Sequence, residues 1–202
     1  MEKSAKSSFF LSNLANNITV GRILLVPAFI LSLLYYAPGK EYLRMTAVFI
    51  FLAACLSDAV DGYIARKFDQ KTVLGSYIDP IADKLLLSSG FLSLSFMQNL
   101  PEAMRIPGWL TISVISRDVI IIIGSTLIFL ATGSLKAAPL FVGKITTVLQ
   151  MATLCAVLLE IPQPLIRAFF FMTVFFTLIS GLLYIRVGEK IFQPAAHDGK
   201  DS

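Results

Sequence analysis

The chain is poor in the residues that soluble catalytic domains use freely, with two cysteines and one histidine in 202 residues. Cys55 and Cys155 stand singly inside apolar runs and His197 lies in the C-terminal tail. That pattern excludes a Cys/His metal site and leaves the thiols as small packing residues. Charge is also scarce. Only 15% of residues are charged against 56% hydrophobic, with a mean hydropathy of +0.76, which excludes an ordinary soluble domain. No internal repeat, low-complexity segment or soluble-domain linker is evident. Nor is there a basic, aromatic-interleaved groove, so no nucleic-acid partner is expected. Residues 1–16 lack a long apolar run and a small-residue cleavage site, so a removable signal peptide is not expected either.

What is present is a series of six apolar runs, approximately 18–37, 43–65, 76–97, 108–131, 140–161 and 165–187. Each reaches the roughly 20 residues that cross a hydrocarbon core. They predict an all-α fold, a polytopic membrane bundle of six transmembrane helices. Residues 1–16, with Phe9, Phe10, Leu11 and Leu14, read as a short N-terminal interfacial helix or as a frayed tail. Residues 17–190 form one six-helix domain in this reading, and 191–202 a disordered tail. An even number of spans puts both termini on one side. Lys3, Lys6, Arg66, Lys67, Lys71, Lys136, Lys144, Arg186, Lys190 and Lys200 flank that side, whereas Lys40, Arg44, Arg105 and Arg167 flank the other. The bias predicts cytoplasmic termini, and the net charge of +4 then reflects topology and anionic headgroups.

Against this background the stretch DAVDGYIARKFDQKTVLGSYIDPIADK, residues 58–84, is anomalous, because it holds five aspartates. Asp58 and Asp61 are spaced i, i+3 near the end of the second predicted helix, and Asp79 and Asp83 are spaced i, i+4 near the start of the third. Each pair therefore shares a helix face. The short connection makes the two helices antiparallel neighbours, so both pairs sit at similar depth near the cytoplasmic end. Four carboxylates gathered there cannot all stay ionised and dry. Hard oxygen donors without imidazole or thiolate suit Mg2+ or Mn2+, and two such ions would neutralise the cluster while gripping phosphate. Asp79, followed by Pro80, could equally be an N-cap with proline at the first helical position. Asp69, beside Lys67 and Lys71, reads as solvated. Gly62 and Gly75 allow close approach of a ligand or serve helix packing, and Arg66 can reach a phosphate or snorkel to headgroups.

Together, Asp58, Asp61, Gly62, Ala65, Arg66, Gly75, Asp79 and Asp83 match D-x2-D-G-x2-A-R-x8-G-x3-D-x3-D without a gap. This resembles the signature of the CDP-alcohol phosphatidyltransferase family. The resemblance implies a six-helix membrane fold, commonly a homodimer, in a bacterial inner membrane with its active site facing the cytoplasm. It also implies transfer of a phosphatidyl group from CDP-diacylglycerol to an alcohol, with release of CMP. Carried over by position, Asp58, Asp61 and Asp79 hold the metal ions, and Asp83 completes the site and acts as general base. Gly62, Ala65, Arg66 and Gly75 line the nucleotide and diphosphate site. Thr19 and Arg22 in the first span help bind the nucleotide, or are an N-cap and a snorkelling cation.

Two further cations bear on the acceptor. Arg117, in WLTISVISRDVIIII, lies near the middle of the fourth span, where a buried guanidinium needs an anion: an acceptor phosphate or a motif acid on another helix. Its neighbour Asp118 is expected to point elsewhere and not to neutralise it. Lys144, in FVGKITTVLQ, stands at the cytoplasmic start of the fifth span and contacts phosphate or satisfies the positive-inside bias. On depth alone, Arg117 is expected to lie too far inside to meet it. The segments NNITVGRILLVP, ISRDV and GKITTVLQ look like the phosphatidylglycerol and cardiolipin branch of the family. The ISRDV form is more similar to members that use phosphatidylglycerol, giving cardiolipin, than to those that use glycerol 3-phosphate, which is the alternative acceptor. An ion-coupled transporter is the rival of another class, although its acids belong near the midplane.

Overall fold

The computed structural model describes the backbone of residues 21, 23–68, 73–132 and 141–192. It also describes the side chains of those residues, apart from 58–83, 128, 129, 131, 132, 187, 188 and 190–192. Among the described residues every regular element is helical: α1 (Ile23–Leu34), α2 (Glu41–Phe68), α3 (Val73–Phe96), a 3-10 turn (Glu102–Met104), α4 (Gly108–Thr132), α5 (Phe141–Leu158) and α6 (Gln163–Phe192). The expected interfacial helix at 1–16 and the tail from 193 lie outside the described residues.

Among the described residues, three stretches are long and apolar enough to cross a membrane: Glu102–Leu127, Phe141–Leu158 and Gln163–Arg186. Ile23–Leu34 and Lys84–Phe96 are shorter apolar helical stretches. The protein is an integral membrane protein of helical construction. Its outward side chains agree, since Leu24, Phe49, Leu56, Leu130 and Phe171 are 66–74% exposed, and a helix that is apolar all round belongs in lipid.

The backbone divides into two units, residues 1–106 with 154–160, and residues 107–153 with 161–202. In the first, Phe29 and Leu33 of α1, Phe51 of α2, Leu87, Phe91 and Leu94 of α3 and Leu154 and Val157 of α5 are fully buried. Phe29 and Phe51 pack with ring centroids 6.0 Å apart. Gly90 permits α3 to close on α5, because a Cβ there would stand 2.9 Å from Leu154 Cδ1.

The end of α1 leaves carbonyls without helical donors, and apolar surroundings make that costly. The Asn99 amide supplies them, donating to the carbonyls of Leu33 at 2.8 Å, Leu34 at 3.2 Å and Tyr36 at 3.0 Å. Nearby, Tyr36 Oη donates to Glu41 Oε1 at 3.0 Å. Arg44 lies within ion-pair distance of Glu41 (Nε–Oε2 3.0 Å) and pairs through Nη1 with Glu160. Glu160 sits in the α5–α6 connection at φ 50°, a left-handed conformation that costs a non-glycine residue roughly 1–2 kcal/mol.

In the second unit α4 packs against α6. α5 and α6 meet through hydroxyls: Thr153 and Thr173 Oγ1 are 2.7 Å apart, and Thr146 Oγ1 donates to the Phe176 carbonyl at 3.1 Å. Polar contacts of this kind are effective glue between helices in lipid.

Candidate functional site

The motif residues occupy the two ends that face the α2–α3 connection. Asp58, Asp61, Gly62, Ala65 and Arg66 lie on α2, which runs to Phe68, and Gly75, Asp79 and Asp83 lie on α3, which starts at Val73. Only residues 69–72 intervene, so the two helix ends are at most about 18 Å apart. Counted from that connection, Asp61 and Asp79 stand seven and six residues in, and Asp58 and Asp83 ten residues each. At 1.5 Å of rise per residue, the two pairs have matched positions along their helices.

The N-cap reading of Asp79 fails. α3 begins at Val73, so Asp79 and Pro80 are inside the helix, where proline withholds its N–H from the Ser76 carbonyl. The capping motif misleads because the apolar run on either side carries the helix past it. Thr19 and Arg22 lie outside the described residues.

The acceptor candidates fall in the second unit. Arg117 on α4 and Asp118 beside it are 6% and 4% exposed. Arg117 Nη1 donates to Asp118 Oδ1 at 2.7 Å, while Nη2 and Nε donate to Ser180 Oγ of α6 at 2.8 and 3.2 Å. The expectation that Asp118 points away is therefore overturned. Successive Cβ atoms diverge by about 100° on a helix, but the long guanidinium arm spans that angle, and burial makes an unpaired charge too costly to tolerate. These contacts, to described residues, use three of the five guanidinium N–H bonds.

The depth argument separating Arg117 from the start of α5 also fails. A Cβ on Gly143 would stand 3.1 Å from Arg117 Nη2 and 3.7 Å from Ser180 Oγ, so the α5 backbone passes directly beside the guanidinium. α4 continues 15 residues beyond Arg117 to Thr132, whereas α5 begins only two residues before Gly143. Counting depth from the predicted spans assumed level helix ends. Lys144 is exposed in this same first turn of α5.

Residues 12–180 match the family model of CDP-alcohol phosphatidyltransferases. The chain belongs to the CDP-alcohol phosphatidyltransferase family. Relatives of this phosphatidyltransferase include a probable phosphatidylglycerophosphate synthase of Mycobacterium tuberculosis, 33% identical over 87% of this chain and 81% of that protein. A CDP-diacylglycerol–glycerol-3-phosphate 3-phosphatidyltransferase of Bacillus subtilis is 35% identical over 85% of this chain and 93% of its own length. One of the same name from Rickettsia felis is 30% identical over 89% and 97%. No solved structure gives a significant match. Family membership sets aside the transporter reading: the protein is an enzyme, a phosphatidyltransferase of phospholipid biosynthesis.

Sequence reading missed Ser180 and Gly143 as parts of the Arg117 site. A signal existed. Thr173, Thr177 and Ser180 on α6, and Thr146, Gln150 and Thr153 on α5, recur at i, i+4, i+7 within apolar spans, marking one polar face on each helix.

Proposed function

We propose that this enzyme transfers the phosphatidyl group of CDP-diacylglycerol to glycerol 3-phosphate and releases CMP. The observation that carries the acceptor is the set of relatives matching over 85–89% of the chain, named for glycerol 3-phosphate transfer or phosphatidylglycerophosphate synthesis. Phosphatidylglycerol, favoured above on the Arg-Asp pair in ISRDV, gives way to the alternative. That pair is two residues of one helix, a small basis for choosing an acceptor. The buried Arg117, with two N–H bonds that no described residue takes, supports recognition of a phosphate.

Asp58, Asp61, Asp79 and Asp83 fit hard divalent cations, being all-oxygen donors at matched positions beside one connection. Asp58, Asp61 and Asp79 would hold one or two Mg2+ or Mn2+ ions, with Asp83 completing the set. Such ions supply charge neutralisation and Lewis acidity at the pyrophosphate. Gly62, Ala65, Arg66 and Gly75 bind the nucleotide and diphosphate in this reading, together with Thr19 and Arg22. Arg117 and Lys144 hold the acceptor phosphate. Asp83 accepts the proton of the acceptor hydroxyl as its oxygen bonds to the phosphorus bearing diacylglycerol and the bond to CMP breaks. The same proposal places residues 17–190 as six spans with cytoplasmic termini and active site, in a homodimer. It is supported by the distribution of Lys and Arg and by the family resemblance.

The test is purified protein in detergent with CDP-diacylglycerol, Mg2+ or Mn2+, and each acceptor separately. Phosphatidylglycerophosphate from glycerol 3-phosphate is expected, with CMP release abolished by excess chelator and by Asp61→Asn in a protein that still folds. Cardiolipin from phosphatidylglycerol, with glycerol 3-phosphate untouched, would overturn the acceptor. CMP release persisting in chelator would overturn the metal site.

A further inference from the structure

The α5–α6 contact in the second unit contains two buried polar side chains that find no partner among the described residues. Thr146, Gln150 and Thr153 on α5 and Thr173, Thr177 and Ser180 on α6 are all buried. The outer members are satisfied. Thr153 and Thr173 share a hydrogen bond at 2.7 Å, Thr146 donates to the Phe176 carbonyl at 3.1 Å, and Ser180 accepts from Arg117. The middle members are not. Gln150 is 0% exposed with neither Oε1 nor Nε2 hydrogen-bonded, and Thr177 is 1% exposed with Oγ1 equally without a partner. Thr177 does not take the carbonyl four residues back, although Thr146, Thr147 and Thr153 all do so at 2.8–3.2 Å.

The two orphans are neighbours in register. One turn back along α5 from the Thr153–Thr173 contact is Gln150, and one turn forward along α6 is Thr177. On α5 the Thr146–Phe176 contact bounds Gln150 on its other side. A buried amide and hydroxyl without partners are costly to the fold. Their combined chemistry, donors and acceptors on adjoining turns of α5 and α6, suits one alcohol hydroxyl.

We infer that Gln150 and Thr177 bind the non-reacting hydroxyl of the acceptor's glycerol, whose phosphate is held at Arg117. This rests on the function proposed above and extends it to the part of the acceptor that neither reacts nor carries charge. Thr177 is three residues from Ser180, the residue that seats the guanidinium, or roughly 4.5 Å of helix rise. The short P–O–C–C–O chain between a glycerol phosphate's phosphorus and its central hydroxyl is suited to that step. A site built to hydrogen-bond a hydroxyl rejects an analogue lacking it, because its own buried groups are then left unpaired.

The experiment compares glycerol 3-phosphate with 3-hydroxypropyl phosphate, which keeps the phosphate and the reacting hydroxyl but lacks the central one. Wild type is expected to prefer glycerol 3-phosphate in kcat/KM by about 10-fold or more. Gln150→Leu should bring the two acceptors to near parity while leaving the KM for CDP-diacylglycerol unchanged. Thr177→Val, which keeps its shape, is the second variant should Gln150→Leu fail to fold, and it should erase the preference too. A variant that keeps the full preference overturns the inference. So does a wild type indifferent to the central hydroxyl, as expected if a buried water fills the site, and then the proposed function stands. If wild type uses phosphatidylglycerol instead, that reading of the acceptor falls while the hydroxyl site is still tested, with phosphatidyl-1,3-propanediol as the analogue and the same two outcomes. If neither acceptor is consumed, both fall.

Discussion

Ser180 on α6 accepts two hydrogen bonds from the Arg117 guanidinium on α4, at 2.8 Å from Nη2 and 3.2 Å from Nε. Asp118 takes a third at 2.7 Å from Nη1. The cation is thereby compensated and fixed in plane, with two N–H bonds not used by the described residues. That arrangement suits an anion site that must also stay folded when empty, since an isolated charge in lipid would be costly.

Removing one member of the buried pair should cost more than removing both. Asp118→Ala is expected to lower stability by roughly 3 kcal/mol, and Arg117→Met combined with Asp118→Ala to recover most of that loss. Reversible unfolding in mixed micelles measures the cycle. A double variant no more stable than Asp118→Ala would show that these two charges do not compensate each other.

Gly143→Ala tests the close approach at Arg117. The new Cβ would stand 3.1 Å from Nη2, so the guanidinium must shift by a few tenths of an ångström. The KM for glycerol 3-phosphate should rise about 3- to 10-fold, since small displacements of a positioning group are felt in binding. The KM for CDP-diacylglycerol should hold. Equal increases for both substrates would remove Gly143 and Arg117 from acceptor recognition.

For Asp83, the expectation is chemical. Asp83→Asn should lower turnover roughly 100-fold or more while CDP-diacylglycerol, titrated separately in the presence of metal, still binds. Normal turnover would exclude Asp83 as the base, and lost donor binding would make it a metal ligand first.

The strained backbone at Glu160 supplies a test outside the chemistry. Glu160→Gly and Glu160→Ala both lose the ion pair with Arg44, but only glycine adopts φ 50° without strain. The glycine variant should be more stable than the alanine variant by about 1 kcal/mol, read from thermal unfolding in detergent. Equal stabilities would mean that the alanine chain relaxes out of that conformation.

The helices from α2 onward and the eight motif positions were legible in the sequence because both depend on local information. The spans of α4 and α5 follow from local composition, and the runs flanking Asp58, Asp61, Asp79 and Asp83 locate the ends of α2 and α3. Helix ends were less so. α2 continues to Phe68, and α6 continues through RVGEKIF to Phe192, because a helix persists beyond the apolar segment that a hydropathy window detects. The pairing of Arg117 with Asp118 and Ser180, the passage of Gly143 beside that guanidinium, and the unsatisfied Gln150 and Thr177 were decided by tertiary structure alone. Each depends on which face of α5 meets which face of α6, on the axial offset between α4 and α5, and on the reach of one long side chain. None of these is a property of any single segment, and burial in an apolar medium is what forces the polar groups among them to find partners.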